Sequence, residues 1–184
     1  LSAEEVLASF PVVPNRITQH AQIIRVGKRL EGNSAIILKI PFLEQKTDHI
    51  RRAGAPFRIA TEGLGDMSVL YSVMPYEEGR HQVWLTAGVR LPTGSITETG
   101  DTPRGKDTLV PYTMQLGSGT FDVEPSATYM WQGDQIRLGI SGSGTIRLGR
   151  NSRGYSLSDW ANLELWTSVQ PTPWLETAAR VRGS

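Results

Sequence analysis

Charged and indole side chains are the residues of this 184-residue chain that could do chemistry, and they recur at every second position of several extended stretches. Residues with this spacing share one face of a β-strand, because successive side chains of a strand point to opposite sides. Arginines and carboxylates on one wall could bind charged solutes, and indole rings could contact apolar or aromatic ones. We predict that the following side chains line such a wall: Arg90, Asp122, Glu124, Arg137, Arg147, Glu164, Arg180, Trp84, Trp160 and Trp166.

Some of these charges could neutralise one another across neighbouring strands. When the strands are paired by their apolar residues alone, Asp66 lies opposite Arg90 and Glu164 lies opposite Arg180. Each pair would satisfy its arginine internally, which is the structural alternative to a role in solute binding.

Two other arginines are the best candidates for contact with a solute. Arg137 and Arg147 have no partner directly opposite in this register, although Asp122 lies diagonal to Arg147. The indoles on the same wall, Trp174 among them, either line a path for apolar or aromatic solutes or fill a narrow interior. Both alternatives stay open.

Side chains for bond-making chemistry are sparse. Cysteine is absent, and a serine nucleophile would need a histidine on the same wall. His81 falls on the apolar side of its strand, and His20 and His49 lie near or within predicted loops. Solvated loop charge is the favoured interpretation of the acidic residues that could otherwise hold a cation, namely Glu44, Asp48, Asp101 and Asp107. We predict no enzymatic activity, no catalytic residue, no metal site and no cofactor.

The stretch from Met114 to Leu148 carries the strongest signal for the elements that must position these side chains. Apolar residues alternate with polar ones from Phe121 to Trp131 and again from Ile136 to Leu148. Gly133-Asp134 between the two runs predicts a two-residue turn with glycine at positive φ. The stretch therefore predicts a β-hairpin with one apolar and one polar face.

The same alternation predicts eight strands, preceded by an N-terminal segment at 1–16 with a short helix at Ala3–Ser9. Hairpin turns are predicted at Glu77-Glu78-Gly79 and Pro171-Thr172-Pro173. Residues 45–60 and 93–113 lack apolar alternation and are predicted to be long loops. We expect one domain over 1–184, with residues 17–183 forming a meander of hairpins.

The lengths of the connections indicate which face meets water. Short turns near 31–33, 77–79, 133–134 and 171–173 alternate with longer connections near 45–60, 93–113 and 149–154. Bacterial outer-membrane barrels have short turns at one end and long loops at the other, with apolar side chains toward lipid and polar ones toward the lumen. Tyr129 and Trp131 lie beside a short turn, as interfacial aromatic residues do. We therefore assign the apolar face to lipid and the polar face to a lumen.

Composition agrees with this assignment. A net charge of +1 gives no basic footprint for nucleic acid, and no apolar run reaches the roughly 20 residues of a membrane helix.

The predicted fold is an all-β, antiparallel up-and-down transmembrane β-barrel with about eight strands present. Both ends of an eight-strand meander in this orientation would lie outside the cell, so we expect an incomplete part of a barrel of ten or more strands.

Four short segments resemble a known family of bacterial proteins. They are GLGD at 63–66, LPTG at 91–94, QLGSGTFD at 115–122 and TPWL at 172–175. In order and spacing they are similar to the outer-membrane transporters grouped as the MetA-pathway-of-phenol-degradation family. The resemblance covers residues 40 to 180 and implies an outer-membrane β-barrel that transports small, frequently apolar compounds. It implies no catalytic residue.

The leading hypothesis is a passive pore or transporter for small organic solutes, apolar or aromatic ones included, in the bacterial outer membrane. Its partners would be membrane lipid and a small-molecule solute, and we expect no nucleic acid. One alternative is a soluble β-barrel that binds an apolar ligand in its interior, as a lipocalin does. Another is a membrane barrel with a structural or adhesive role and no transport.

Overall fold

The computed structural model describes residues 3–53, 55–102 and 105–183, and antiparallel strands dominate this part of the chain. A helix, α1, spans Ala3–Ser9, as the sequence predicts, and a short 3-10 helix spans Tyr112–Met114. The strands of the described residues are β1 Val12–Leu30, β2 Ser34–Arg51, β3 Phe57–Leu64, β4 Ser68–Glu78, β5 His81–Arg90, β6 Thr99–Thr102, β7 Gly105–Leu109, β8 Phe121–Val123, β9 Ser126–Gln132, β10 Ile136–Leu148, β11 Trp160–Thr172 and β12 Leu175–Gly183. The prediction of an all-β, antiparallel fold is confirmed. Within these residues no helix combines the length and apolar character needed to cross a membrane.

Long strands that follow one another in the chain are neighbours in the main sheet, whose order is β1-β2-β4-β5-β8-β10-β11-β12. Both β8 and β9 pair with β5 on one side and β10 on the other. The break between them falls at Glu124-Pro125, where proline lacks the N–H that a ladder needs. In addition, β3 pairs with β2, and β6 pairs with β7 in a separate two-stranded sheet.

The prediction of a loop at 45–60 is wrong for most of its length. Strand β2 continues to Arg51, and a ladder pairs it with β3 from Phe42 opposite Leu64 to His49 opposite Phe57. The residues of β2 that are buried here are polar, namely Gln45 and Thr47. A search for apolar alternation therefore misses this ribbon.

The predicted loop at 93–113 also contains regular structure, because β6 and β7 form a hairpin within it. The amide of Gln115 holds this segment: Oε1 accepts from the Glu98 N–H at 2.8 Å, and Nε2 donates to the Val110 carbonyl at 3.0 Å. Thr61 Oγ1 donates to the carbonyl of Met114 at 2.8 Å. These hydrogen bonds depend on the positions of individual side chains, so the hydropathy pattern of the sequence does not predict them.

The register of the β4–β5 hairpin differs from the prediction. Val73 lies opposite Leu85 rather than Val83, and Ser68 rather than Asp66 lies opposite Arg90. The turn is the two-residue Gly79-Arg80, with Gly79 at φ 58°, and the ladder shifts between Val73 and Tyr76. A tighter turn and one bulge together move the pairing by two residues.

The β11–β12 hairpin shows the same displacement. Glu164 lies opposite Arg182 rather than Arg180, because the turn is Pro173-Trp174 and the ladder shifts between Val169 and Thr172. The prediction that Trp174 shares the wall with the other indoles is wrong, since it lies in this turn and is 81% exposed.

The β9–β10 hairpin turns one residue later than predicted. The N–H of Gly133 donates to the carbonyl of Ile136 at 2.7 Å, so the turn residues are Asp134-Gln135. Gly133 has no positive φ, contrary to the prediction. Arg147 consequently lies directly opposite Asp122 instead of diagonal to it. In all three hairpins the error in pairing is two residues, which leaves the paired side chains beyond the turns and bulges on their predicted faces.

The chain divides into two compact units. Unit 1 comprises Leu1–Ile24, Ile40–Met67 and Pro92–Gly119. Its buried apolar cluster consists of Ile59, Val110 and Met114, with Phe57 packed against it. Unit 2 comprises Arg25–Lys39, Ser68–Leu91 and Thr120–Ser184.

Asp66 joins separate segments of unit 1. Its Oδ1 accepts from the Gly94 N–H at 2.9 Å, and its Oδ2 accepts from the N–H and hydroxyl of Ser118 at 2.7 and 2.8 Å. The backbones at Gly94 and Gly117 approach so closely that a Cβ on Gly94 would fall 2.7 Å from the Cα of Gly117. The glycines of these short segments therefore have a packing role around one carboxylate.

Candidate functional site

The strands of unit 2 have an apolar face and a polar face with opposite exposures. The following side chains of the apolar face are each at least 40% exposed: Val69, Tyr71, Leu85, Val89, Phe121, Tyr129, Ile136, Leu138, Ile140, Ile146, Leu148, Leu163 and Leu165. The polar face contains side chains that are buried, namely Ser68, Ser72, Asp122, Glu124, Thr145 and Ser168. Asp122 and Thr145 are 0% exposed. The buried side of these strands is thus hydrophilic.

Five strands each contribute one residue to a line of mutually opposite positions on the polar face, which we call the charged row. Its members are Lys39 of β2, Ser68 of β4, Arg90 of β5, Asp122 of β8 and Arg147 of β10. Antiparallel pairing in register puts such side chains within reach of their neighbours. The row is a consequence of the register that the bulge and turns establish.

Ion pairs connect the members of the charged row. Arg147 Nη1 contacts Asp122 Oδ2, and Thr120 Oγ1 donates to Asp122 Oδ1 at 2.7 Å. Glu124, two residues beyond Asp122 on the same face, contacts Arg90 and also Lys39, with a Lys39 Nζ to Glu124 Oε2 distance of 3.2 Å. The prediction that Arg147 has no directly opposite partner is therefore wrong.

Hydroxyl and amide side chains form a second line on the polar face, the hydroxyl row. Its members, on β4, β5, β9, β10 and β11, are Ser72, Thr86, Ser126, Ser143 and Asn162. Thr86 Oγ1 donates to Ser72 Oγ at 2.9 Å, and Asn162 Nδ2 donates to Ser143 Oγ at 2.9 Å. The hydroxyl row therefore contains only uncharged polar side chains.

Glu164 binds two arginines of β12. Its Oε2 lies 2.7 Å from Arg182 Nη2, and its Oε1 lies 3.7 Å from Arg180 Nη1. Both arginines are about two-thirds exposed. Glu164 therefore does have an ionic contact with Arg180, although Arg182 is the direct cross-strand partner.

Arg137 also has an ionic partner. Its Nη2 lies 2.8 Å from Oε2 of Glu176 on β12. The prediction that Arg137 lacks a direct cross-strand partner holds, since the residues opposite it are Gln132 and Ser168. The carboxylate that contacts it lies two strands away.

The indole side chains of the polar face differ in their surroundings. Trp166 lies over Gly139, since a Cβ on Gly139 would fall 2.2 Å from its ring. Trp84 lies opposite Thr128 and is partly exposed, and Trp160 lies opposite Thr145 and is 43% exposed. Of these three indoles, Trp166 is therefore the one that packs directly over a glycine.

No protein family matches this chain, and no curated protein matches it. The site must therefore be interpreted from its own residues.

Groups suited to bond-making chemistry are dispersed. Among residues 3–53, 55–102 and 105–183, no three histidine or acidic side chains are grouped as a metal site would need. His81 Nδ1 lies 2.6 Å from the Tyr129 hydroxyl, and His49 Nδ1 lies 3.1 Å from the Thr47 carbonyl. The polar face of the described strands of unit 2 contains ion pairs, hydroxyls and indoles.

Two residues of the polar face, Lys39 and Ser68, are not singled out by the sequence. Lys39 alternates with Ile36, Leu38 and Ile40, so its position on the polar face follows from parity, yet a single lysine in an apolar strand gives no separate signal. Ser68 is 1% exposed, but a single serine in a strand gives no sequence signal for its burial. Their alignment with Arg90 becomes visible only once the register is known.

Proposed function

We propose that this protein forms a β-barrel pore in the bacterial outer membrane and passes small organic solutes through a lumen lined by the polar face. The observation that carries the proposal is the inverted exposure of unit 2, in which apolar strand residues face outward and carboxylates and hydroxyls are buried. In lipid, the exposed face is the one that must be apolar.

The exposed apolar side chains would be costly in water. Burial of a leucine or isoleucine side chain is worth about 1.5–3 kcal/mol, and the apolar face exposes a whole set of them on neighbouring strands. Contiguous patches of this kind mark surfaces that meet a membrane or another protein. Hydrocarbon around the strands removes this cost without any change in the fold.

Strand lengths fit the same proposal. A transmembrane strand needs about 9–11 residues, and β5 has 10, β10 has 13 and β11 has 13. The connections also alternate, since the turns Gly79-Arg80 and Pro173-Trp174 have two residues and the segments 91–120 and 149–159 are much longer. Both patterns are those of outer-membrane barrels.

The soluble alternative requires the opposite arrangement. A lipocalin-like protein holds its ligand against apolar residues that point inward. The largest fully buried side chains of the described residues are the polar ones of Thr145, Asp122 and Ser68. The exposures therefore favour the membrane proposal over an apolar interior.

The test uses the full-length protein in two steps. Extraction from membranes should require detergent, and reconstitution into phospholipid vesicles should make them permeable to small polar solutes such as glucose, which protein-free vesicles retain. A monodisperse protein in detergent-free buffer would contradict the membrane assignment. Stable insertion without any solute flux would instead support the structural or adhesive alternative.

A further inference from the structure

The charged row and its neighbour Glu124 contain more cationic than anionic groups. Among the described residues, the carboxylates that form ion pairs with Lys39, Arg90 and Arg147 are those of Asp122 and Glu124, and Glu124 is shared by Lys39 and Arg90. The side chains of Lys39, Arg90 and Arg147 are 24%, 20% and 9% exposed. A partly buried excess of positive charge is unfavourable unless an anion or water compensates it.

A nearby carboxylate does not remove this excess. Asp159 accepts a hydrogen bond from the backbone N–H of Arg147 at 2.8 Å, but its side chain is exposed. It therefore satisfies the main chain of β10 rather than the guanidinium.

One donor of Arg147 points to a missing acceptor. Its Nη1 contacts Asp122, whereas its Nε is buried and has no hydrogen-bond partner among the described residues. A buried N–H without an acceptor destabilises the protein, and the guanidinium edge that contains Nε is suited to a carboxylate oxygen. Arg90 is close to the same strand, since its Nη2 lies 3.5 Å from Thr145 Oγ1 on β10.

Apolar side chains lie beside the cations on the same face. Ile37, Leu70 and Gly88 occupy mutually opposite positions, each two residues from a member of the charged row. Leu70 covers the glycine, because a Cβ on Gly88 would fall 2.5 Å from Leu70 Cδ2. A solute held by Arg90 thus has an apolar surface next to its charged end.

We propose that the charged row binds small organic monocarboxylates, with the carboxylate at Arg147 and Arg90 and the apolar body toward Leu70 and Ile37. This substrate class rests on the proposed function for its role in transport, while the binding site itself can be measured without transport.

The first experiment measures binding to full-length protein in detergent micelles by calorimetry. Benzoate should bind at least about tenfold more tightly than benzyl alcohol, which has a similar shape and no charge. Chloride and inorganic phosphate should compete poorly, because they have no apolar body. Equal affinity for benzoate and benzyl alcohol would overturn the proposal, and so would equal competition by chloride.

Variants locate the site. Arg147→Lys keeps the charge beside Asp122 and removes the Nε donor, so benzoate affinity should fall about tenfold. Lys39→Gln removes a more exposed cation of the row and should also weaken binding. Arg80→Gln is the matched control, because Arg80 is 52% exposed and pairs with Asp134 at a turn. Unchanged affinity in both row variants, or equal loss in the control, would contradict the assignment.

Flux separates the two proposals. Vesicles containing the protein should pass benzoate faster than potassium, measured as the reversal potential in a potassium benzoate gradient. Binding without flux would overturn the pore and support the site. Flux that favours potassium, together with no preference for benzoate over benzyl alcohol in calorimetry, would overturn the site and support the pore.

Discussion

Arg147 on β10 and Asp122 on β8 lie directly opposite each other, and their side chains form an ion pair in which the carboxylate is completely buried. Removal of one partner of a buried ion pair leaves the other charge without compensation and costs about 3–5 kcal/mol. We therefore expect Asp122→Asn to lower the free energy of unfolding in phospholipid vesicles by an amount near this range. Urea titration followed by tryptophan fluorescence measures it.

The double variant Asp122→Asn with Arg147→Met provides the control. It removes both charges, so its loss should be smaller than that of Asp122→Asn alone. If the losses of Asp122→Asn and of Arg147→Met, each measured alone, add up to the loss of the double variant, the two side chains do not interact.

Two glycines of β10 should respond differently to the same substitution. A Cβ on Gly139 would fall 2.2 Å from the Trp166 ring, whereas a Cβ on Gly142 meets no atom within 4 Å. Gly139→Ala should lower the unfolding free energy by about 1–3 kcal/mol through overpacking and should shift the fluorescence of Trp166. Gly142→Ala should be neutral or stabilising. Equal effects on stability would refute the packing of Trp166 on Gly139.

The apolar face gives a test of the proposed membrane location. Ile140 is 40% exposed, so Ile140→Arg would change stability by only about 0.5 kcal/mol in water. At mid-depth in lipid the same change costs about 2–4 kcal/mol. We expect the larger value in vesicles, with Gln135→Arg at the exposed turn as the control. A loss no greater than that of the control would argue against lipid contact at Ile140.

Asp66 should determine the order of the segment 92–119 in unit 1. Asp66→Ala removes the acceptor for the Gly94 N–H and both Ser118 donors, and each charge-assisted hydrogen bond is worth about 1.5–3 kcal/mol. We expect faster amide exchange and faster proteolysis across 92–102 and 105–119. Asp134→Asn, at an 88% exposed position, should leave both rates unchanged.

The pair of Asp48 and Arg58, opposite each other on β2 and β3, should give a pH-dependent contribution. Arg58 Nε donates to Asp48 Oδ1 at 2.6 Å, and this hydrogen bond holds the pKa of Asp48 below its ordinary value. The stabilisation is therefore complete above the unfolded pKa of about 4 and is lost as pH falls through the lowered folded value. In Arg58→Gln the pKa of Asp48 should rise toward its ordinary value, as measured by carbon-detected NMR titration.

Alternation of side chains is sufficient to predict which residues of unit 2 share a face. The positions of Arg90, Asp122, Arg147 and Glu164 follow from counting in twos, because the period of a strand is two residues. The apolar residues Leu138 and Ile140 are exposed, as the assignment of the faces expects.

The same alternation does not predict which residues of neighbouring strands lie opposite each other. A shift of two residues changes which apolar side chains meet but keeps them apolar, so hydropathy alone cannot distinguish Val83 from Leu85 as the partner of Val73. Turn length and bulge position decide between them, and both depend on local backbone conformation. Apolar alternation does not predict the ribbon of β2 and β3 for another reason. Its buried residues Gln45 and Thr47 are polar and are satisfied by hydrogen bonds.

The bulge between Val73 and Tyr76 has a consequence for how this hairpin can change length. The two-residue turn alone would reverse the faces of β4 relative to β5, and the extra residue of the bulge reverses them back. An insertion or deletion of one residue at Gly79-Arg80 could therefore be absorbed by loss or gain of one bulge further along the strand. Evolutionary drift in the length of such hairpins would leave the wall intact wherever these changes come in compensating pairs.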